Sequence, residues 1–237
     1  MVIRELTTKS EFERCVEIQH TEWGWGDLDV IPVRSFVVIT NVGGITLGAF
    51  DGERVIGFIN TMPGIRKGAP YWFSRMLGVE REYRGRGVGT LLKRKQREFG
   101  LTRGIRLIEW TFDPLESRNA HLNLEKLGVI VRRYYVDHYG YTSAHLQRSM
   151  ESDRLMAEWW LDQDRSAIAG ECRRIRIPSD IQRVKDRGVD EAVDVQRRVR
   201  AEFQKHFEDH YMVVGFERLG EYSEYVLCSR EGTAYAD

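Results

Sequence analysis

The sequence predicts a mixed α/β fold, and two local patterns support this prediction. Residues 46–50 and 55–60 are apolar-rich stretches on either side of Asp51-Gly52, which is typical of a tight β-hairpin because Asp-Gly supplies positive φ angles. Residues 71–79 have the pattern of a strand, and a glycine-rich turn joins them to a helix over 90–99. The elements follow the order strand, helix, three strands, helix, strand, helix, strand, strand, which indicates a mixed sheet flanked by helices.

The first elements are a strand over residues 2–6 and a helix. We expect this helix to begin with a capping box of Ser10 and Glu13. The apolar residues that give it one buried face are Phe12, Cys15, Val16 and Trp23. The stretch 35–50 carries no charge, but the Gly43-Gly44 pair interrupts it, so we expect strands and a turn there rather than a membrane-spanning helix.

The later elements complete a core domain over residues 1–163. The helix over 90–99 is expected to end at Gly100, and Ser117 is expected to cap a helix that ends at Gly128. Residues 107–112, 129–136 and 155–161 are three further strands. Residues 164–237 are predicted to be a C-terminal α/β extension packed on the core, with a strand near Ile175, a helix over 191–207 and strands at 211–216 and 224–228.

The composition limits the partners and the compartment. Lys plus Arg and Asp plus Glu are equal, at 36 each, so no global field attracts nucleic acid or an anionic membrane. The cysteines Cys15, Cys172 and Cys228 lack CxxC spacing, which argues against a disulfide framework or a zinc site and favours buried free thiols. Residues 1–15 have charges and no apolar core of a signal peptide, so we expect a cytoplasmic protein with no metal.

The turn over residues 84–89 predicts an anion site. It lies between a strand that ends at Val79 and a helix that opens at Thr90, so unpaired backbone N–H groups and the positive end of a helix dipole meet there. Arg84 and Arg86 add local positive charge, and a pyrophosphate fits such a site.

Other interpretations of this turn are a solvated loop or an arginine-glycine patch for nucleic acid. The apolar strand before it and the helix after it disfavour both. The Gly-Lys-Ser/Thr ending of a Walker A loop is missing, and no fitting GxGxxG indicates a dinucleotide fold.

The stretch Leu77-Gly78-Val79 and residues 82–92 together resemble motif A of the GNAT superfamily of acetyltransferases, whose signature is Arg or Gln, two residues, Gly, one residue, then Gly or Ala. Arg84, Gly87 and Gly89 fill those places. Residues 119–128 are similar to the motif B helix of the family. Stretches over 110–121 and 153–160 resemble a little-characterised branch of predicted GNAT acetyltransferases that carries a similar C-terminal extension.

This resemblance implies the GNAT fold, with acetyl-CoA or another acyl-CoA as co-substrate and direct attack by an amine on the thioester. It implies that Leu77 and Val79 offer backbone groups to the pantetheine and the acyl oxygen, and that Asn119 reaches the pantetheine arm. The pyrophosphate would meet the backbone N–H groups of Arg84, Gly85, Arg86, Gly87, Val88, Gly89 and Thr90.

The chain departs from the family where a tyrosine often protonates the leaving thiolate, since Leu124 occupies that place. His121, Tyr135 and Tyr139 are the candidate substitutes, and a thiolate leaves well enough to need no acid. For the base we choose Glu109, because burial in an apolar strand would raise the pKa of its carboxyl. The alternative is that Glu109 pairs with an arginine.

The predicted function is acyl transfer to a small-molecule amine acceptor, without nucleic-acid or membrane partners. A non-catalytic acyl-CoA-binding or scaffold protein is the alternative, favoured by Leu124. A nucleic-acid-binding module is a third hypothesis, suggested by the arginines over 84–106. An edge strand in the extension offers a route to a homodimer.

Overall fold

The computed structural model describes residues 1–140, 150–163 and 171–235, which form two compact units. The first unit is Met1–Trp110, and the described part of the second begins at Thr111. The predicted boundary between residues 163 and 164 adjoins 164–170, which lie outside the described residues, so the division into core and extension stays a prediction.

The first unit contains a mixed sheet in the order β1-β2-β3-β4-β5, antiparallel except for the parallel pair β4–β5. Its strands are β1 (Val2–Glu5), β2 (Ile45–Asp51), β3 (Arg54–Arg66), β4 (Ala69–Val79) and β5 (Leu107–Phe112), whose last two residues belong to the second unit. Its helices are α1 (Lys9–Trp23), α2 (Val33–Asn41) and α3 (Val88–Thr102), with a short 3₁₀ turn at Arg81–Tyr83.

The predicted hairpin is confirmed, with Gly52 in the left-handed region at φ 59° between β2 and β3. The register of β3 against β4 then shifts by one residue. Asn60 pairs with Met76 whereas Thr61 pairs with Ser74, so β4 carries a bulge at this point. Such a bulge bends the strand and redirects its backbone groups.

The start of α1 differs from the prediction. The capping box consists of Thr8 and Glu11, not Ser10 and Glu13: the Thr8 hydroxyl accepts from the Glu11 N–H at 3.3 Å, and the Glu11 carboxylate accepts from the Thr8 N–H at 3.0 Å. Both pairs have the same three-residue spacing. Thr8 is the cap because its backbone is extended, whereas Ser10 already lies in the first helical turn.

The prediction of strands and a turn over residues 35–50 is wrong for its first part, because Val33–Asn41 is the helix α2. Its β-branched residues favour a strand locally. Phe36 and Ile39 nevertheless fall three residues apart on one face and are buried, and Phe36 stacks on Phe12 with ring centroids 5.6 Å apart. Packing against α1 overrides the local preference.

The helix α3 is longer than predicted at both ends. It begins at Val88 and runs through Gly100 to Thr102, so Gly100 is a buried helical residue and not the C-terminal cap. Gly104, at φ 73°, takes the left-handed conformation that follows the helix.

The second unit contains antiparallel pairs in the order β7-β6-β9-β10-β8. Its strands are β6 (Ile130–Tyr135), β7 (Arg154–Trp160), β8 (Cys172–Pro178), β9 (Tyr211–Arg218) and β10 (Tyr222–Ser229), and its helices are α4 (Ser117–His121), α5 (Ile181–Arg187) and α6 (Val189–Glu208). Glu116, and not Ser117, is the N-cap of α4, and a π-helical turn at Leu122–Lys126 continues it. The apolar stripe of α6 packs against β6, β8 and β9.

The expectation of three free thiols is wrong. Cys172 and Cys228 form a disulfide across the β8–β10 pair, where they face each other with Cα atoms 4.4 Å apart. Their 56-residue separation hides this pairing from the sequence. Cys15 is free and buried, and burial raises the pKa of its thiol. None of the helices that the structure describes is long and apolar enough to cross a membrane.

Candidate functional site

The candidate site lies in the first unit, where β4 passes through a glycine turn into α3. Gly85 and Gly87 have φ angles of 75° and 82°, a conformation that side chains rarely adopt. A Cβ at either position would meet no atom within 4 Å, so the need for glycine is conformational. Gly89 is different, because its φ angle is not positive and a Cβ there would make ordinary contact with Leu77 at 3.5 Å.

The start of α3 keeps its backbone donors open. Gly87 is the N-cap, and no side chain within the described part of the chain caps the helix. The first helical hydrogen bond runs from the Leu91 N–H to the Gly87 carbonyl at 3.0 Å, so the N–H groups of Val88, Gly89 and Thr90 lie beyond the reach of intrahelical acceptors. Together with the helix dipole, these donors make an anion site.

Arg84 holds the turn in place through contacts within the protein, so its charge is partly neutralised before any anion binds. Its guanidinium forms an ion pair with Glu22 at 2.6 Å, and its Nε donates to the Val79 carbonyl at 3.1 Å. The Glu22 carboxylate also accepts from the Arg81 N–H at 3.1 Å. A single carboxylate on α1 therefore fixes the turn at two points.

Arg86, by contrast, is exposed and lies 5.5 Å from the centre of the Tyr83 ring. The Tyr83 hydroxyl donates to Asp51 at 2.7 Å, which holds that ring against the hairpin turn. Of the two arginines that the sequence singled out, Arg86 is the one whose charge has no carboxylate partner in the described structure.

The end of β4 separates from β5. The parallel pairing joins Trp72 to Ile108 and Phe73 to Glu109, and among the described residues it goes no further, although β4 continues to Val79. On its other side β4 stays paired, with Leu77 opposite Ile59. Among the described residues, no strand therefore pairs with this edge of β4 beyond Phe73. Leu77 and Val79 lie close to the turn, since a Cβ at Gly89 would lie 3.5 Å from Leu77 and Arg84 donates to the Val79 carbonyl.

Glu109 lies on β5 and is buried, with 3 % of its surface exposed, and it forms an ion pair with Arg66 at the end of β3. This is the arginine pairing that the sequence left open as the alternative to a base. The sequence offered no sign of the partner, which is 43 residues away.

Asn119 lies in the second unit, exposed on α4. Leu124 is fully buried, so the position where the family often has its acid holds a core residue. Of the candidate substitutes, Tyr139 shares a hydrogen bond with Thr111 at 2.7 Å, and the buried Nδ1 of His121 has no partner in the described part of the chain. The Tyr135 ring lies 4.7 Å from that of His138.

Sequence reasoning missed two side chains that hold the elements of this site: Glu22, which pairs with Arg84, and Lys93, which donates to Ser74 on β4. Glu22 is 62 residues from Arg84, and no local pattern connects them. Lys93 did leave a signal, because it shares a helical face with the buried residues Gln96 and Gly100, three and seven positions later. A charged residue on an otherwise buried face is unusual enough to single out.

Several aromatic side chains of the first unit pack against one another. Trp72 is buried, with 1 % exposed, and the Trp23 ring lies 6.3 Å from Phe58 and 4.6 Å from Trp25. No group of three or more His, Cys, Asp or Glu that could hold a metal ion occurs among residues 1–140, 150–163 and 171–235.

A mixed sheet, an open strand edge and a glycine turn before an uncapped helix define a class of α/β proteins that bind a phosphate-bearing ligand at a helix start. Within that class, the sequence profile of the acetyltransferase (GNAT) family matches residues 9–129, which is 121 of the 237 residues. The chain belongs to this family, whose chemistry is acyl transfer from acyl-CoA. The comparison with curated proteins found no match.

Solved structures share the fold at low sequence identity. Aminoglycoside 6'-acetyltransferase type Ii is similar at a TM-score of 0.55 and 20 % identity, covering 69 % of this chain and 99 % of its own. An aminoglycoside 6'-N-acetyltransferase complexed with coenzyme A has a TM-score of 0.53 and 18 % identity, with 69 % and 99 % covered. The Escherichia coli ribosomal-protein-S18-alanine N-acetyltransferase has a TM-score of 0.53 and 12 % identity, with 71 % and 99 % covered. At these identities the likeness establishes the fold.

Proposed function

We propose that the chain transfers an acetyl or other acyl group from acyl-CoA to an amine of a small-molecule acceptor by direct attack. The observation that carries this proposal is the uncapped start of α3 behind a turn with two left-handed glycines. Three open N–H groups and a helix dipole suit a pyrophosphate, and the open edge of β4 leads away from it as a track for the pantetheine arm.

In the proposed reaction the amine nitrogen bonds to the thioester carbonyl carbon, the carbon–sulfur bond breaks and CoA leaves as a thiolate. The proton lost by the amine passes to a base. Backbone N–H groups at Leu77 or Val79 would stabilise the developing oxyanion, an interaction worth about 3 kcal/mol in a dry, preorganised site. With Leu124 buried, departure of the thiolate relies on its own stability.

Glu109 remains the proposed base, and its ion pair with Arg66 gives a rival structural role. The variant Glu109→Gln distinguishes the two. The substitution removes the buried ion pair with Arg66 in either case, so both roles predict a lower melting temperature. A base predicts in addition that kcat falls about 100-fold while acyl-CoA binding stays near the wild type. A purely structural carboxylate predicts a lower melting temperature with kcat retained, and that result would remove Glu109 from the mechanism.

The acceptor is proposed only as a class. The similar structures include enzymes named for aminoglycosides and one named for a ribosomal-protein alanine, so the shared fold accommodates unlike amines. A screen of acyl-CoAs against amino acids, polyamines and aminoglycosides, followed by release of the CoA thiol, would identify it.

Isothermal titration with acetyl-CoA tests the first step. The wild type should bind and Gly87→Glu should not, because a side chain and a negative charge would enter the anion site. Gly68→Glu is the matched control, since Gly68 has a similar φ of 78° and lies in the turn at the opposite end of β4. Equal losses in both variants would mean that strain, and not the anion site, decides binding.

The alternative function is a non-catalytic acyl-CoA-binding protein, favoured by the burial of Leu124 where an acid is often found. It predicts tight binding of acetyl-CoA without thiol release for any amine. Thiol release that depends on an added amine would rule it out.

A further inference from the structure

A lysine is buried under the point where β4 and β5 separate. Lys93 is on the inner face of α3 with 2 % of its surface exposed. Its Nζ donates to the Ser74 hydroxyl on β4 at 2.9 Å and lies 3.3 Å from the centre of the Trp110 ring on β5. One side chain therefore touches both strands of the diverging pair.

A second buried hydrogen bond lies three residues further along α3. The Gln96 side-chain amide donates to the Thr61 hydroxyl on β3 at 2.7 Å. Thr61 on β3 pairs with Ser74 on β4. This pair lies between the bulge and the turn that connects the two strands. The helix is thus fastened by two polar contacts to both strands that form the bulge.

These contacts connect the two halves of the acyl-CoA site. Lys93 lies about one and a half turns after the uncapped start of α3. Ser74 immediately follows Phe73, the last residue of β4 that pairs with β5 among the described residues, and it precedes the segment of β4 that ends at Val79. Lys93 therefore links α3, whose start carries the open donors, to β4 at the point where its pairing with β5 ends.

Burying this amine is costly. Burial lowers the pKa of Lys93 well below the usual value of a lysine, and the contacts of its amine among the described residues are with Ser74 and Trp110 and not with a carboxylate. A methionine of similar length would fill the same space without this cost. Packing alone therefore does not account for an amine here, whereas the contacts with Ser74 and Trp110 do.

We propose that Lys93 is a positioning residue that fixes the bulge of β4 to α3, so that the open backbone groups of β4 stand at a set place relative to the anion site. This inference rests on the proposed acyl transfer and identifies a residue that controls it without touching the substrate.

The test compares Lys93→Met with Leu92→Met, a control that changes a buried neighbour on the same helix without removing a polar contact. Lys93→Met should keep its melting temperature and still bind CoA through the anion site, because the helix start is intact. Its kcat should fall about 10- to 100-fold, because the thioester is misplaced by a fraction of an ångström. Lys93→Gln, which can still donate to Ser74, should recover part of the loss.

Hydrogen exchange gives a readout that does not depend on turnover. CoA should protect residues 84–90 and 74–79 in the wild type, and only 84–90 in Lys93→Met. Wild-type kcat or unchanged protection of 74–79 in Lys93→Met would overturn the inference. A wild type that binds CoA but releases no thiol with any amine would instead overturn the proposed function, and the exchange pattern would still decide the role of Lys93.

Discussion

Two helices of the first unit begin in opposite ways. The start of α1 is closed by its own side chains, because Thr8 and Glu11 cap each other and Arg4 pairs with Glu11 at 2.6 Å. The start of α3 has glycine at the cap position and no side-chain cap. The backbone N–H groups at a self-capped helix start already donate to the cap, whereas those at an uncapped start are available to a ligand.

The largest effect is expected when a carboxylate is placed at the N-cap of α3. Gly87→Asp puts a negative charge beside the open donors, and CoA should bind about 100-fold more weakly or worse because the carboxylate repels phosphate. Gly87→Asn is the control, since Asn has the same size, carries no charge and tolerates the same left-handed backbone. Titration calorimetry should rank the affinities as wild type, then Asn, then Asp; equal affinity of wild type and Asp would mean that the nucleotide binds elsewhere.

A smaller effect is expected from releasing the turn. Arg84→Ala and Glu22→Ala should each weaken CoA binding about tenfold, because a loosened turn must be ordered on binding at about 1 kcal/mol. The double variant should be little worse than either single variant, since both remove the same ion pair.

The Glu22 variant is decisive for the role of Arg84. If Arg84 acted as a direct phosphate ligand that Glu22 restrains, Glu22→Ala would strengthen binding. Weaker binding in both single variants identifies the pair as a structural anchor. Arg86→Ala removes a charge from the same turn without touching Glu22, and it should reduce the salt dependence of binding without loosening the turn.

The smallest effect is expected at α1. Thr8→Ala should lower the free energy of unfolding by about 1 kcal/mol and leave CoA affinity unchanged. Burial raises the pKa of the Glu11 carboxyl, but hydrogen bonds from the Thr8 and Thr7 N–H groups and from Arg4 outweigh it and lower this pKa to about 2. This carboxylate therefore stabilises the fold above its ordinary pKa of 4.5, and the contribution is lost as the pH falls toward 2.

Denaturant unfolding of Glu11→Gln between pH 2 and pH 6 checks this. The variant should be less stable than the wild type at pH 6, and the difference should shrink as the pH falls. A difference that stayed constant over this range would show that Glu11 does not titrate with folding.

The glycine turn was predictable because it depends on neighbours in the chain. Strand, turn and helix follow one another within a few residues, and the glycines at positions 85 and 87 predict the left-handed backbone that the structure has there. The helix α2 was not predictable, because its β-branched residues favour a strand locally and only the packing of Phe36 on Phe12 stabilises the helix. The capping box of α1 was ambiguous, because Thr8–Glu11 and Ser10–Glu13 have the same spacing.

The pairings across long separations were also beyond the sequence. Cys172 and Cys228 meet only because β8 and β10 align in one register, and the predicted cytoplasmic location stays a prediction beside a bond that is uncommon in reducing compartments. The sequence left two interpretations of Glu109 open. Its ion pair with Arg66 forms because the last residue of β3, which pairs with Ala69 at the start of β4, lies close in space to Glu109 on β5.

The sequence by itself determined the family, every strand and helix of the first unit except α2, and the glycine turn before α3, because periodicity and glycine act over a few residues. Only the tertiary structure decided which charged side chains are held by partners within the protein. Arg84 is held by Glu22, Glu109 by Arg66, and Lys93 by Ser74 and Trp110, and each partner comes from another element. Electrostatic and hydrogen-bonding partners are chosen by distance in space, which local patterns do not encode.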